Sequence, residues 1–235
     1  MPYPRRLHHP GLIYHVINRG NNQQPIFHDK EDYRRYLGVI YRYKRKFGFR
    51  LFAYCLMTNH VHLLVQVGDK ASISQIMQSV TICHTRHHHT KYKQSGHLWQ
   101  GRFRSPIVSD DEYLKNAMIY IEQNPVRAGM ANRPEDYPWS SYLLNVRHED
   151  SKLIDRSQNP LNTKNKSAVK EWIKEYKSAM RKSLNVQDIV RIRKTSRGTD
   201  NYMSKKFTEQ MTNLLPKKRR RGRPRKNYDL NDCNI

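Results

Sequence analysis

Two histidines, His60 and His62, stand one residue apart in the run AYCLMTNHVHLLVQV, which covers residues 53–67. The run divides into two apolar stretches of strand length around Thr58-Asn59, and this pattern predicts two adjacent antiparallel strands. Because side chains alternate between the two faces of a strand, both imidazoles project from one face. Neutral imidazoles so placed can bind one metal ion. The alternative is a simple polar patch, because a metal site needs a third ligand.

A tyrosine and an asparagine share one face of a predicted helix further along the chain. Ser109 and Glu112 form the pattern of a capping box, which predicts the start of a helix. Pro125 disfavours helical geometry in the residue before it, so the helix is expected to end near Asn124. Tyr120 and Asn124 are four residues apart and therefore lie one turn apart on the same helix face.

The remaining apolar patterns predict the elements that position these residues. Residues 11–18 are expected to form the first strand, residues 29–47 a helix, and residues 72–93 a second helix. The end of the second helix contains His87, His88 and His89. Three consecutive helical residues point in three directions, so this triplet cannot hold one ion well and is interpreted as a solvated basic end.

Residues 96–108, GHLWQGRFRSPIV, are expected to return as a strand or a loop. Trp99 and Phe103 alternate there with Arg102 and Arg104, a combination that suits contacts with single-stranded nucleic acid. One buried tryptophan with two surface arginines is the alternative. With Arg19, which follows the first strand, the two arginines are candidate DNA-binding residues.

The composition indicates a polyanionic partner. The formal net charge is +24 and the isoelectric point is about 10.1. No apolar stretch is long enough for a membrane span, so this charge favours nucleic acid over a lipid surface. Three widely separated cysteines fit a reducing compartment, and we expect a cytoplasmic, nucleoid-associated protein with no membrane partner.

The C-terminal part is more basic, because residues 151–235 contain 23 lysines and arginines against 8 acidic residues. We expect a linker over residues 147–167, a helical DNA-binding extension over 168–215 and a disordered basic tail over 216–235. The tail includes Arg221, Gly222, Arg223, Pro224 and Arg225. This pattern resembles an AT-hook for the narrow minor groove of A·T-rich duplex, and the alternative is a generic basic tail.

Five segments resemble one known family. They are YHVINRGNNQQPIF, YCLMTNHVHLLV, GHLWQGRF, YIEQNPVRAGM and PEDYPWSSY, and together they span roughly residues 10–145. The chain resembles the REP-associated tyrosine transposases, relatives of the single-tyrosine HUH (histidine–hydrophobic–histidine) transposases of small bacterial insertion sequences. The resemblance implies an α+β fold with a ferredoxin-like antiparallel sheet in a catalytic domain over residues 1–146.

The resemblance also implies roles for four residues. His60 and His62 match the histidine pair and would hold Mg²⁺ or Mn²⁺, Tyr120 matches the nucleophile, and Asn124 matches the polar third ligand. Ligand type alone does not exclude Zn²⁺. The implied activity is cleavage and joining of single-stranded DNA beside REP-type hairpins through a 5′-phosphotyrosine, by a monomer or a homodimer. The alternatives are a non-catalytic protein that recognises repeat hairpins and a basic regulator built on the C-terminal helices.

Overall fold

The computed structural model describes residues 6, 8–108, 110–147, 151–155, 166–182 and 184–196. Four strands and seven α-helices occur in this part of the chain. The strands are β1 (Ile13–Arg19), β2 (Arg50–Met57), β3 (His60–Gln66) and β4 (Ile107–Val108). The helices are α1 (Lys30–Phe47), α2 (Ile73–Tyr92), α3 (Asp111–Glu122), α4 (Asn124–Arg127), α5 (Tyr142–Arg147), α6 (Lys166–Arg181) and α7 (Val186–Ser196). Short 3₁₀ helices cover Asn21–Gln23 and Pro134–Asp136.

The sheet confirms the predicted fold class. Its strand order is β2-β3-β1-β4, and every pair is antiparallel. Helix α1 connects β1 to β2 and α2 connects β3 to β4, which gives the β-α-β-β-α-β succession of a ferredoxin-like fold. The hairpin turns at Thr58-Asn59, as its sequence predicts.

Two apolar layers cover the two faces of the sheet. On one face, α1 and α2 pack over the inward side chains of β1 and β3, among them Val16, Val61 and Leu63. On the other face, α3 packs on Ala53 and Leu64 together with residues of α6 and α7. Both layers follow from strand alternation, because the part of β3 that follows its two histidines presents apolar side chains to both faces of the sheet.

Capping groups fix the ends of the long helices. Asp29 and Asp32 form a capping box at the start of α1, and Gly48 ends that helix in the left-handed region with φ 67°. Ser72 and Gln75 form the equivalent box at the start of α2. The first turns and last turns are therefore closed by local sequence, in agreement with the predicted ranges.

The start of the tyrosine-bearing helix differs from the prediction. The N-cap of α3 is Asp110, whose carboxylate accepts a hydrogen bond from the Tyr113 amide at 2.7 Å. Aspartate is as good an N-cap as serine, and this choice places Glu112 one position too early for a reciprocal box. Ser109 itself lies outside the described residues. Beyond α3 the chain continues as α4 through Pro125, because proline is tolerated in a first helical turn.

The histidine triplet is not a solvated end, so that interpretation was wrong. His88 is only 1% exposed, and its ring packs on Tyr92 and lies 3.2 Å, nitrogen to nitrogen, from His28. His87 contacts the buried carboxylate of Asp32 at 3.2 Å. Tertiary packing of α2 on the start of α1 encloses this segment, which the local pattern of charges could not indicate.

Candidate active site

The two histidines of strand β3 lie on the face of the sheet that α3 covers. His60 pairs with Met57 across the hairpin and with Arg19 on β1, while His62 pairs with Cys55 and Ile17. The two rings are neighbours on one face, with centroids 5.0 Å apart. His60 is half-buried and His62 is buried.

The ring of His60 is held by the turn that precedes it. Asn59 donates from its side-chain amide to the carbonyl of Gln23 at 3.0 Å, which turns its Oδ1 toward His60. The Nδ1 of His60 lies 2.7 Å from that oxygen and must therefore carry the hydrogen. Nε2 is then the unprotonated nitrogen of the neutral ring, and its lone pair is available as a metal ligand.

The ring of His62 is held by a third histidine, His15, on the neighbouring strand β1. His15 Nε2 and His62 Nδ1 are 2.9 Å apart, and both residues are buried. When Nδ1–H of His62 is the donor, Nε2 of His62 is unprotonated, as it is in His60. Metal-bound histidines generally use the second ring nitrogen in this way.

Tyr120 approaches the same histidines from α3. Its ring centroid lies 6.1 Å from that of His62 and 6.0 Å from that of His15, with edge-to-face geometry in both cases. Arg127 packs over the tyrosine ring, with the guanidinium carbon 4.2 Å from the ring centroid, and also donates to the carbonyl oxygen of Tyr120. A further bond from Arg127 to Gln123 at 3.1 Å fixes this guanidinium.

Asn124 follows Tyr120 by one turn, at the start of α4. Its amide nitrogen donates to the carbonyls of Tyr120 and Ile121 at 3.0 and 3.2 Å. Because the nitrogen is directed to the end of α3, the carbonyl oxygen Oδ1 is the atom left for a ligand.

The loop before β4 lies along the edge of β1 and brings two arginines to the site. Arg104 pairs with Ile17, and Gln100 donates from its backbone amide to the Arg19 carbonyl at 2.8 Å. Gly20, just after β1, permits the close approach of the turn that follows it, since a Cβ there would lie 2.3 Å from the Gln24 carbonyl oxygen. Trp99 is half-buried and donates to Thr85 at 2.9 Å. Of the two predicted forms, residues 96–106 therefore take the loop, and only Ile107–Val108 forms β4.

These elements enclose a pocket of about 450 Å³. Every candidate site residue predicted within the described part of the chain lines this pocket. Among the described residues, the lining includes four arginines and no carboxylate. The lining residues are Ile17, Asn18, Arg19, His60, His62, Gln100, Gly101, Arg102, Arg104, Tyr120, Asn124 and Arg193. The predicted hook residues, Arg221, Gly222, Arg223, Pro224 and Arg225, lie outside the described residues.

Burial keeps the histidines of the site neutral. It lowers the pKa of His60 to about 4, with a further contribution from Arg19, and lowers the pKa of His15 to about 3. The pKa of His62 also lies well below its ordinary value, first because of burial and then because of His15 and His60. Neutral imidazole is the form that binds metals, so the rings are ready as ligands at neutral pH.

Three ionisable residues of the site were not predicted from the sequence. His15 shares the face of β1 that carries Ile17 and Arg19, so strand alternation contained a signal for it. Arg127 lies seven residues, or about two turns, after Tyr120, and this spacing was also readable. Arg193 belongs to α7, and nothing in the sequence pattern relates that helix to the pocket.

Comparison with known proteins identifies the first half of the chain. Residues 8–124 match the model of a family described as "Transposase IS200 like". This part of the chain belongs to the IS200-like transposase family. The match ends at Asn124 and so includes both histidines and Tyr120.

Two further similarities agree with this family. A putative REP-associated tyrosine transposase of Haemophilus influenzae is 29% identical over 118 residues. That match covers 44% of this chain and 64% of the relative, so the chain spans less than two thirds of that protein's length. A solved REP-associated tyrosine transposase, bound to a REP hairpin, superposes with a TM-score of 0.53 and 20% identity over 67% of this chain and 96% of that chain. This structural similarity supports the fold alone. Among the described residues, no helix is long and apolar enough to cross a membrane.

Proposed function

We propose that the protein is a metal-dependent endonuclease and strand transferase that cleaves single-stranded DNA beside REP-type hairpins. The observation that carries the proposal is the convergence of His60 and His62 from β3 with Tyr120 from α3 and Asn124 from α4. All four line one arginine-rich pocket. The family of residues 8–124 and the sequence similarity to a putative REP-associated tyrosine transposase support DNA transposition and a REP-type substrate.

The donor atoms of the pocket fit a divalent metal. His60 Nε2, His62 Nε2 and Asn124 Oδ1 would hold Mg²⁺ or Mn²⁺, because the other polar atoms of these side chains bond to Asn59, His15 and the end of α3. Two imidazoles and one amide oxygen form a mixed site that leaves further positions for oxygens of DNA. When bound, the ion would supply Lewis-acid polarisation of the scissile phosphate. Such a set contains only two histidines, in keeping with the absence of any group of three or more His, Cys, Asp or Glu ligands in the described part of the chain.

Tyr120 is the proposed nucleophile. Its phenol oxygen forms a bond to the phosphorus of one phosphodiester, and the bond from that phosphorus to the 3′ oxygen breaks. The phenol loses its proton, and the departing oxygen takes one up to become a free 3′ hydroxyl. The 5′ side stays on the tyrosine as a phosphodiester, which conserves the bond for joining a second strand without ATP.

The neighbouring cations have two roles in this proposal. Arg127 lies over the ring of Tyr120 and holds it beside His62. Its own pKa is lowered by burial, but an arginine remains charged and favours the negative charge that develops on the phenol oxygen. Arg19, Arg102 and Arg104 line the pocket wall and would bind the phosphates of the single strand.

The experiment is a cleavage assay on end-labelled DNA that carries a REP-type hairpin and a single-stranded flank. With Mn²⁺ we expect a product with a 3′ hydroxyl and a second product attached to the protein, and a chelator should abolish both. Cleavage that resists the chelator contradicts the metal site. Specific binding without any cleavage in Mg²⁺ or Mn²⁺ supports the alternative, a protein that recognises repeat hairpins without cutting them.

A further inference from the structure

The helices that follow the family-matched segment are docked on the tyrosine helix. Tyr176 of α6 is fully buried, and its hydroxyl donates to the buried carboxylate of Glu122 at 2.7 Å. The next residue of the chain, Gln123, donates from its side chain to the carbonyl of Met180 at 2.9 Å. Two buried polar bonds therefore fix α6 at the end of α3 that carries Tyr120.

Helix α7 is docked on the same helix by its own contacts. Ile192 is fully buried in the apolar layer that contains Tyr120 and Met118. Arg191 lies 3.9 Å from the Asp110 carboxylate, and its guanidinium carbon is 5.2 Å from the centroid of the Tyr113 ring. With these two residues turned toward α3, the next residue, Arg193, lines the pocket.

Arg193 stands in an environment suited to an anion. Its side chain is exposed, and its charge lies close enough to Arg127 to contribute to the lowered pKa of that residue. Among the described residues, those that line the pocket include no carboxylate, so the charge of Arg193 faces other arginines rather than an acid. Several guanidinium groups around one cavity repel one another until a polyanion enters, and the planar guanidinium group binds phosphate through paired hydrogen bonds.

We propose that α6 and α7 are a structural part of the active site and that Arg193 is a binding residue for a phosphate of the single-stranded DNA. The buried hydrogen bonds of Glu122 and Gln123 hold α6 in place against α3. The inference takes DNA as the ligand from the proposed function, but it concerns binding and does not require the cleavage step.

The test measures binding of a short, fluorescently labelled single-stranded oligonucleotide by anisotropy, with the full chain in a Tyr120→Phe background so that cleavage cannot interfere. Arg193→Gln should weaken binding about tenfold, as expected for one lost charge-assisted hydrogen-bond pair. It should also make the dependence of log K on log salt shallower by about 0.7. Arg193→Lys should restore the salt slope, because it restores the charge.

Arg181→Gln is the matched control, since Arg181 is an exposed arginine of α6 that does not line the pocket. We expect binding close to that of the unsubstituted chain. Equal losses for the two glutamine variants would show a general charge effect and overturn the proposal. Unchanged or tighter binding by Arg193→Gln would overturn it as well, the second case indicating that α7 obstructs the pocket. If the cleavage assay fails while Arg193→Gln weakens DNA binding as expected, the proposed chemistry is refuted and the proposed role of Arg193 in binding stands.

Discussion

At the scale of single residues, the site depends on the hydrogen-bond partner of Nδ1 in each of its two histidine rings. His60 directs Nδ1 to Asn59, and His62 directs Nδ1 to His15, so each ring is oriented by a bond on the side away from its proposed ligand position. Such bonds fix the tautomer and the orientation of a metal-binding imidazole before the ion arrives. His15 is therefore expected to affect metal binding by His62, although His15 does not itself line the pocket.

Replacement of His15 should weaken metal binding without removing a ligand. His15→Phe deletes the partner of His62 Nδ1, and we expect a loss of about tenfold to a hundredfold in Mn²⁺ affinity, measured by isothermal titration calorimetry. His15→Gln keeps a polar atom near the position of Nε2 and should recover part of the affinity. Unchanged Mn²⁺ affinity in the Phe variant, with the fold intact by circular dichroism, would contradict this role.

His60 and Val61 provide a paired test of the two faces of β3. His60→Ala should abolish metal-dependent cleavage with a small change in the free energy of unfolding, because His60 is half-buried beside the pocket. Val61 is fully buried in the opposite apolar layer, so Val61→Asp should destabilise the domain by several kcal/mol. Urea denaturation of both variants measures the contrast, and similar losses of stability would show that the two faces have been misassigned.

At the scale of elements, the end of α3 is tied to α5 and α6 by one buried acid. Glu122 accepts hydrogen bonds from Ser141 at 2.5 Å, from Asn145 at 2.6 Å and from Tyr176 at 2.7 Å. Burial nevertheless raises its pKa to about 7, since these bonds only partly offset the loss of hydration. The folded protein thus binds a proton that the unfolded chain has released between the ordinary carboxyl pKa and about pH 7.

This proton has a predictable effect on stability. Because the folded state binds more protons in that interval, the contribution of Glu122 to stability falls as the pH rises from the ordinary carboxyl pKa to about 7. Glu122→Gln should remove this pH-dependent loss. The free energy of unfolding of the variant, relative to that of the unsubstituted chain, should therefore increase by on the order of 2 kcal/mol between pH 5 and pH 8. Urea denaturation across this pH range measures the difference. The exposed Glu175→Gln is the control, and an equal gain in both variants would contradict the assignment to Glu122.

The elements also show where sequence patterns are informative. Alternation and helical spacing predicted the hairpin, α1, α2 and the face shared by Tyr120 and Asn124, because these patterns arise from local geometry. The burial of His88 and the position of Arg193 depend on helices that meet through tertiary packing, which leaves no local pattern. The N-cap was misplaced by one residue, since Ser109 and Asp110 are both suitable caps and only the tertiary structure selects between them.

At the scale of the whole molecule, basic residues are concentrated in the candidate active-site pocket and in the segment of residues 216–235. The pocket carries four arginines, and residues 216–235 contain the run KKRRRGRPRK. The pocket is proposed to bind one strand near the cut, whereas the tail is expected to add affinity for neighbouring duplex. Arg221, Gly222, Arg223, Pro224 and Arg225 remain a predicted AT-hook.

Removal of residues 216–235 should separate these two contributions. Cleavage of a short hairpin substrate should be nearly unchanged, while binding to long A·T-rich duplex should weaken. The salt dependence of that binding should become shallower by about one unit for each phosphate that the tail no longer neutralises. Competition between A·T-rich and G·C-rich duplexes tests the hook itself. Equal affinity of the full chain for both duplexes would leave only a generic basic tail.

The central claim is that Tyr120 forms a covalent bond to DNA, and its rival is Tyr113 on the same helix. Tyr120 lines the pocket beside His62, whereas Tyr113 is buried in the apolar layer against α7. The decisive measurement is mass spectrometry of proteolytic peptides after reaction with Mn²⁺ and single-stranded hairpin DNA. We predict a nucleotide adduct on Tyr120 that persists in Tyr113→Phe and disappears in Tyr120→Phe, with DNA binding retained in both variants. An adduct that survives Tyr120→Phe and is lost in Tyr113→Phe would contradict the proposed mechanism.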